Sequence, residues 1–257
     1  MSVTVIQSGR HARKRVRMRE MCGTDELRAA AGEVPELLRG LLAPTNVDDL
    51  DTNELDEVTV SDRDRLLATL YTESFGDVVT CRNGCTRCGE AFELELSMQD
   101  LCEQMMAGGD GRCRRGAHGD YATEAGTRFR LPTLADQSRL TGLPQERTLA
   151  VLRERCVEHE ADGEDVEELM AEVGPLLDLE LSATCPHCDA DLSIPFEISQ
   201  FFRLAMARER TWLVREVHRL ATSYRWSLSE ILALPRSLRR EHVALAEAEA
   251  AARRRRT

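Results

Sequence analysis

A chain of 257 residues with 45 acidic and 34 basic side chains carries a net charge of −11, which argues against a general nucleic-acid binder because phosphates repel it. No apolar run approaches the roughly 18 residues that span a bilayer, and the length gives one or two domains able to bury a core without disulfide staples. Nine cysteines are an odd number, and the first residues lack the apolar stretch of a signal peptide, so the expected setting is a reducing cytoplasm rather than a secreted disulfide framework.

In chain order, the first 15 residues are polar and basic, end in Arg13-Lys14-Arg15, and read as a mobile arm. Val16 to Met21 fits a short strand. Thr24 is placed to cap a helix with Asp25 and Glu26 in its first turn. Leu27, Val34, Leu37, Leu38, Leu41 and Leu42 then supply the apolar positions of one or two short helices. Residues 48–57 form an acidic connector. Ser61 is placed to cap a stronger helix, with Asp62 and Asp64 at its positive end and Leu66, Leu67, Leu70 and Phe75 as its buried stripe.

The most informative feature comes next. Cys85-Thr-Arg-Cys88 recurs far downstream as Cys185-Pro-His-Cys188. Two residues between cysteines let both thiolates face one ion from a tight turn. Two such turns complete a tetrahedral four-thiolate site of the closed, structural kind. Cys85, Cys88, Cys185 and Cys188 are therefore the expected ligands of a structural Zn2+. The alternative is two separate redox pairs. A thioredoxin-like pair favours a helix N-terminus, whereas strands flank both pairs here.

The flanks repeat as well. With Cys88 set on Cys188, Phe92 falls on Leu192, Leu94 on Ile194, Leu96 on Phe196 and Met98 on Ile198. This period-two pattern reads as a strand with one buried face, and Pro195 marks the second copy as an edge. From Met98 to Leu101 the spacing turns helical, with Ser97 or Ser199 near the helix start. Each half thus reads as strand, knuckle, strand, helix. Either the chain holds an internal duplication split by an insertion, or two knuckles followed by strands simply look alike. Cys81 lies near enough to compete as a ligand, but it aligns with Leu181, and Cys102 aligns with Phe202, so both read as small core residues. Cys22, Cys113 and Cys156 lack ligand spacing. His187 is expected to point away from the ion, and His118 and His159 to be solvated.

The insertion opens with a loop from Gly108 to Gly119, rich in glycine and arginine. It lacks the Gly-Lys-Ser/Thr ending of a phosphate loop and reads as a flexible connection. Phe129 and Leu131 alternate in a strand. Thr133 can cap a helix from Leu134 to Leu140, and Pro144 begins another with Leu149, Leu152 and Cys156. Glu164 to Val173 is an acidic helix stopped by Gly174-Pro175. A long helix runs from Ile198 to about Ser223, with Phe201, Phe202, Ala205, Trp212, Leu213, Val217, Leu220 and Tyr224 on one face. Ser227 and Glu230 form a capping box for a short helix, which Pro235 ends. A packed helical hairpin fits this C-terminus better than a DNA-reading pair, because no aromatic reader accompanies the Arg253–Arg256 tail. The expected fold class is α+β. A zinc-ribbon-like pair of β-hairpins is joined by a four-Cys site, with surrounding helices and a C-terminal helical hairpin. The segments are an arm with short helices (1–60), a helix and first knuckle half (61–107), a mostly helical insertion (108–177), a second knuckle half (178–200) and the C-terminal helices (201–257).

Several stretches together resemble the T4-type baseplate hub assembly chaperones of contractile-tailed phages and phage-tail-like injection systems. They are Thr59-Val-Ser-Asp-Arg-Asp-Arg-Leu-Leu67, Phe75-Gly-Asp77, the two knuckles, Phe129-Arg-Leu-Pro-Thr133, Arg215-Glu-Val-His-Arg-Leu220, and Tyr224-Arg-Trp-Ser-Leu-Ser-Glu-Ile-Leu-Ala-Leu-Pro235. The match covers about Val16 to Val243, and its ordered combination is more specific than any one piece. Cys81 beside the first knuckle and the glycine-rich loop depart from the pattern without removing a ligand. The resemblance implies a non-enzymatic role in assembling a baseplate hub, with baseplate or hub proteins as partners. A zinc-ribbon adaptor for nucleic acid or transcription machinery is the other function considered. An enzyme is not expected, since four thiolates close the metal shell and no hydrolase or complete phosphate-loop motif occurs.

Overall fold

The computed structural model describes residues 2–106, 111–140 and 142–255. β1 (Ser2–Val5) pairs with β2 (Arg15–Met18), and α1 (Gly23–Ala31) and α2 (Val34–Leu41) follow. A 3₁₀ segment, Thr52–Glu57, precedes α3 (Val60–Phe75). β3 (Val78–Gly84) and β4 (Ala91–Ser97) lead into α4 (Met98–Met106). The insertion holds β5 (Cys113–Arg115), β6 (Asp120–Thr123), β7 (Arg128–Arg130), α5 (Leu134–Leu140), α6 (Gln145–Cys156), β8 (Val157–His159) and α7 (Val166–Val173). β9 (Asp178–Thr184) and β10 (Asp191–Glu197) precede α8 (Ile198–Tyr224), α9 (Leu228–Ala233) and α10 (Arg236–Arg254). The chain is mixed helix and sheet; its sheets have two or four strands, and β3 to β10 pair antiparallel. It divides into two compact units: Thr4–Val16 with Asn46–Ile198, and Met1–Val3 with Arg17–Thr45 and Ser199–Thr257.

In the first unit α3 is the organising helix. Its cap is Thr59, whose hydroxyl accepts the Asp62 N–H, and not Ser61, which lies inside the first turn and donates to the Pro175 carbonyl at 2.6 Å. Asp62 faces the N-terminal segment: its carboxylate accepts the Gln7 and Ser8 amides at 2.9 and 3.0 Å. Lys14 meets Glu54 at 2.6 Å and His11 meets Glu57 at 3.0 Å, so the acidic connector neutralises the basic segment. Ile6 and Ser8 are buried. The expected mobile arm is therefore ordered, held by backbone amides on a buried carboxylate.

Asp64 performs the matching task at the other side of α3. It pairs with Arg63 and accepts the Leu177 amide at 3.0 Å, where the second hairpin begins. Burial pushes its carboxyl up, with Arg63 opposing. Thr59 bridges Thr133, and the Val60 amide reaches the Pro132 carbonyl at 2.9 Å, which docks the insertion on α3.

The insertion holds three helices, as read, and a sheet of which the sequence marked only the strand around Phe129. It contains a four-stranded antiparallel sheet, β5-β6-β7-β8, under which Tyr121, Phe129, Leu131, Val166 and Leu169 form a core with α7. Only β7, around Phe129, was marked by alternation; β5 and β8 have three residues each, too short for a period-two signal to register. The glycine-rich loop belongs to this sheet. Residues 108–110 lie outside the described residues, but Gly116–Gly119 is a tight turn between β5 and β6, not a flexible connection. Gly119 has φ +83, and a Cβ there would lie 2.3 Å from the Arg10 backbone nitrogen. α5 starts after Thr133 as expected. Asp136 accepts the Thr133 amide at 3.0 Å and pairs with Arg130 and Arg155 at 2.6 and 2.7 Å. Burial pushes the Asp136 carboxyl up, but the two guanidiniums outweigh it and hold the carboxyl well below the usual range.

In the second unit, α1 begins two positions earlier than Thr24 suggests. Cys22 is the cap residue, and the Asp25 carboxylate turns back to its amide at 2.9 Å. Ser227 and Glu230 cap α9 as expected. Arg239, 1% exposed, bridges Glu26 of α1 and Glu216 of α8, each at 2.6 Å. Phe202, Leu213 and Leu220 form the buried face of α8, whereas Trp212, expected in that stripe, is 55% exposed with the Arg215 guanidinium 4.8 Å over its ring. Trp212 directly precedes Leu213, about 100° around the helix, and so falls outside the buried stripe.

Two outcomes are expected. Asp64→Ala leaves the buried Arg63 without its partner and should cost about 3–5 kcal/mol in urea unfolding. Asp136 has a depressed folded carboxyl, so its contribution is complete above the unfolded value near ~4 and is lost as pH falls. The stability of Asp136→Asn should accordingly fall less steeply than wild type on acidification below about pH 5.

Candidate metal centre

Each knuckle hangs from a hairpin whose strands register identically. In the first, Val78 faces Ser97 and Gly84 faces Ala91; in the second, Asp178 faces Glu197 and Thr184 faces Asp191. Every pair in one hairpin maps onto the other by an offset of one hundred residues. The turns obey the same rule. The Cys85 amide donates to the Glu90 carbonyl and the Gly89 amide to the Cys85 carbonyl; Cys185 with Ala190, and Asp189 with Cys185, repeat this. Gly89 and Asp189, at equivalent positions, both have positive φ, +77 and +53. Beyond the hairpins, the Met98 amide meets the Asp77 carbonyl and the Ile198 amide meets the Leu177 carbonyl, each opening a helix. The likeness thus extends beyond the knuckles and following strands to the strands before them and the helix starts. This favours duplication over coincidence.

Apolar faces bring the hairpins together. Phe92 and Ile194 pack with Cys85, Cys185 and Ala190, flanked by Leu94, Leu181 and Leu192. All four sulfurs converge at the turns and lie within 4.8 Å of one another. Across the hairpins, Cys85 Sγ lies 3.6 Å from Cys188 Sγ and Cys88 Sγ lies 3.8 Å from Cys185 Sγ. A disulfide needs about 2.05 Å, so these are thiols. A tetrahedron with metal–sulfur arms of about 2.3 Å has edges of about 3.8 Å, which matches both separations. The donor set therefore fits a metal ion.

The electrostatics point the same way. Amide donors, Cys88 first and Arg87 after it, lower the Cys85 thiol to about 6 against desolvation. Cys88 moves oppositely: the Glu90 amide pulls it down, but desolvation and the neighbouring sulfurs push it up to about 12. Four sulfurs this close repel one another as thiolates, and a cation among them removes the repulsion. Arg87 supplies positive charge at the rim. Its amide lies 3.3 Å from Cys85 Sγ and its guanidinium 3.3 Å from Cys188 Sγ, so one residue of the first turn touches a sulfur of each half.

The other candidates fall where the spacing placed them. Cys81 is buried in β3 opposite Leu94, and its aligned partner Leu181 lies opposite Ile194. Cys102 lies in α4, half-buried. His187, His118 and His159 are exposed, and among the described residues the cluster consists of the four cysteines alone. Arg87 was missed. A knuckle places the amide before its second cysteine near the first sulfur, which is legible from spacing, but the reach of the guanidinium to the opposite hairpin is a tertiary fact. No family model, curated protein or solved structure matches the chain.

Purified protein should carry one metal ion per chain by elemental analysis. Replacing Cys85 and Cys185 together by Ser should abolish it and lower stability, because binding and folding are coupled here. Full metal content in that double variant would contradict a shared site.

Proposed function

We propose that the chain is a non-enzymatic assembly factor or structural component of the baseplate hub of a contractile tail or injection system. It acts by binding baseplate or hub proteins on a zinc-stabilised scaffold. The bound ion is Zn2+, which four thiolates suit by softness and tetrahedral geometry, and the paired hairpins form a zinc-ribbon-like core. With all four positions taken by protein sulfur, the ion has no open site for water or substrate and serves as a staple. Cys85 and Cys88 hold it from the first turn, Cys185 and Cys188 from the second, and Arg87 offsets the excess negative charge.

The observation that carries the reading is the ordered set of sequence segments that resemble those of hub assembly chaperones. Their arrangement lends support. The segment from Thr59 and the segment ending at Thr133 pair through the Thr59–Thr133 bridge, and the segment ending at Pro235 supplies the complete α9 with its capping box. Among the described residues no helix is long and apolar enough to cross a membrane, and the reading places the protein in the cytoplasm. Deletion of the gene in a host that makes contractile particles should leave tubes or sheaths without complete baseplates in electron micrographs, and tagged protein should co-purify with hub components. Normal, functional particles from the deletion strain would overturn the role, and salt-sensitive capture of DNA or RNA instead would favour the adaptor.

A further inference from the structure

A groove of about 610 Å³ lies wholly within the first unit, where the insertion meets α3 and the start of β9. Its walls are Val60, Leu131, Leu140, Leu152, Met170 and Leu176. Gly174 keeps one wall thin: a Cβ there would lie 2.5 Å from the Leu131 side chain. The apolar surface continues outward, since Leu176 is 40% exposed, and Leu149, one turn before Leu152 on α6, is 56% exposed. This strip is broader than the cavity and suits a chain segment rather than a small molecule.

The two charged side chains that line the groove, Glu167 and Asp178, are both acidic, and among the described residues no lysine, arginine or histidine lines it. Arg153 answers Glu167 at 2.6 Å. Asp178 is exposed at the start of β9. A cation seated beside it complements its charge, while aliphatic side chains fill the groove.

We infer that this groove is a docking site for a partner protein's amphipathic segment, one that inserts large aliphatic side chains and places a lysine or arginine beside Asp178. The inference rests on the protein-binding reading above only for its choice of a protein occupant. Its test uses purified chain and synthetic peptide, so failure here leaves the deletion experiment standing, and the reverse also holds. The probe is a fluorescein-labelled 14-residue peptide of leucines at three- and four-residue spacing with lysines between; its control carries glutamates in place of the lysines.

Fluorescence anisotropy should show the basic peptide binding about tenfold or more tighter than the acidic one. Leu176→Arg places a charge on the exposed rim, and Ala171→Trp plugs the groove from an exposed wall position. Each should weaken the basic peptide by about tenfold, with circular dichroism unchanged. Asp178→Lys should narrow the gap between the two peptides. Equal binding of both peptides, binding of neither, or wild-type affinity in both Leu176→Arg and Ala171→Trp would overturn the inference. Two independent groove variants keep the test decisive if one of them misfolds.

Discussion

Two hairpins with seven-residue strands form the centre of the first unit, and each hairpin is only two strands wide. A lone two-stranded hairpin is at best marginal in water. These two share a modest apolar contact around Phe92 and Ile194, and at the turns four sulfurs are gathered within 4.8 Å. That gathering is costly without a cation and favourable with one, so the metal-binding geometry is the constraint on which the hairpins depend. It also closes a long loop of chain, because the whole insertion lies between the two knuckles.

Around this centre the chain uses buried carboxylates as fixing points. Asp62 gathers the N-terminal amides, Asp64 the start of the second hairpin, and Asp136 two arginines of the insertion. In the second unit Arg239 does the same with the sign reversed, holding two glutamates from different helices. Each is buried and costly to desolvate, and each is matched by several donors or acceptors. Such points specify which segments meet, a task that generic apolar contact performs less selectively.

The two matching halves differ in what they carry. After β4 the first continues into α4, Met98–Met106, whereas after β10 the second continues into α8, a 27-residue helix. The paired knuckles are thus common to both halves, and the differences lie in the elements attached to them.

The sequence by itself determined the elements whose signals are local. Cys-x-x-Cys spacing picked out the four cysteines that the fold gathers, and period-two flanks placed β4 and β10. Ser227 with Glu230 marked the start of α9, and Thr133 the start of α5. These signals need only neighbouring residues to be legible. Tertiary structure decided what depends on distant partners. The N-terminal segment looked mobile because its anchor, Asp62, lies more than fifty residues away. Of the insertion's sheet only β7 was legible, through Phe129, because β5 and β8 have three residues each and gain their identity by pairing. Ser61 and Thr59 are both plausible caps, and the choice fell to Thr59 because Ser61 is engaged by Pro175. Trp212 looked like core by spacing, yet whether a helix face is covered is set by what packs on it, and Leu213 won that position. At the four-cysteine cluster the cysteines were legible, while the reach of Arg87 across the hairpins was not, because side-chain reach between segments a hundred residues apart has no local signature.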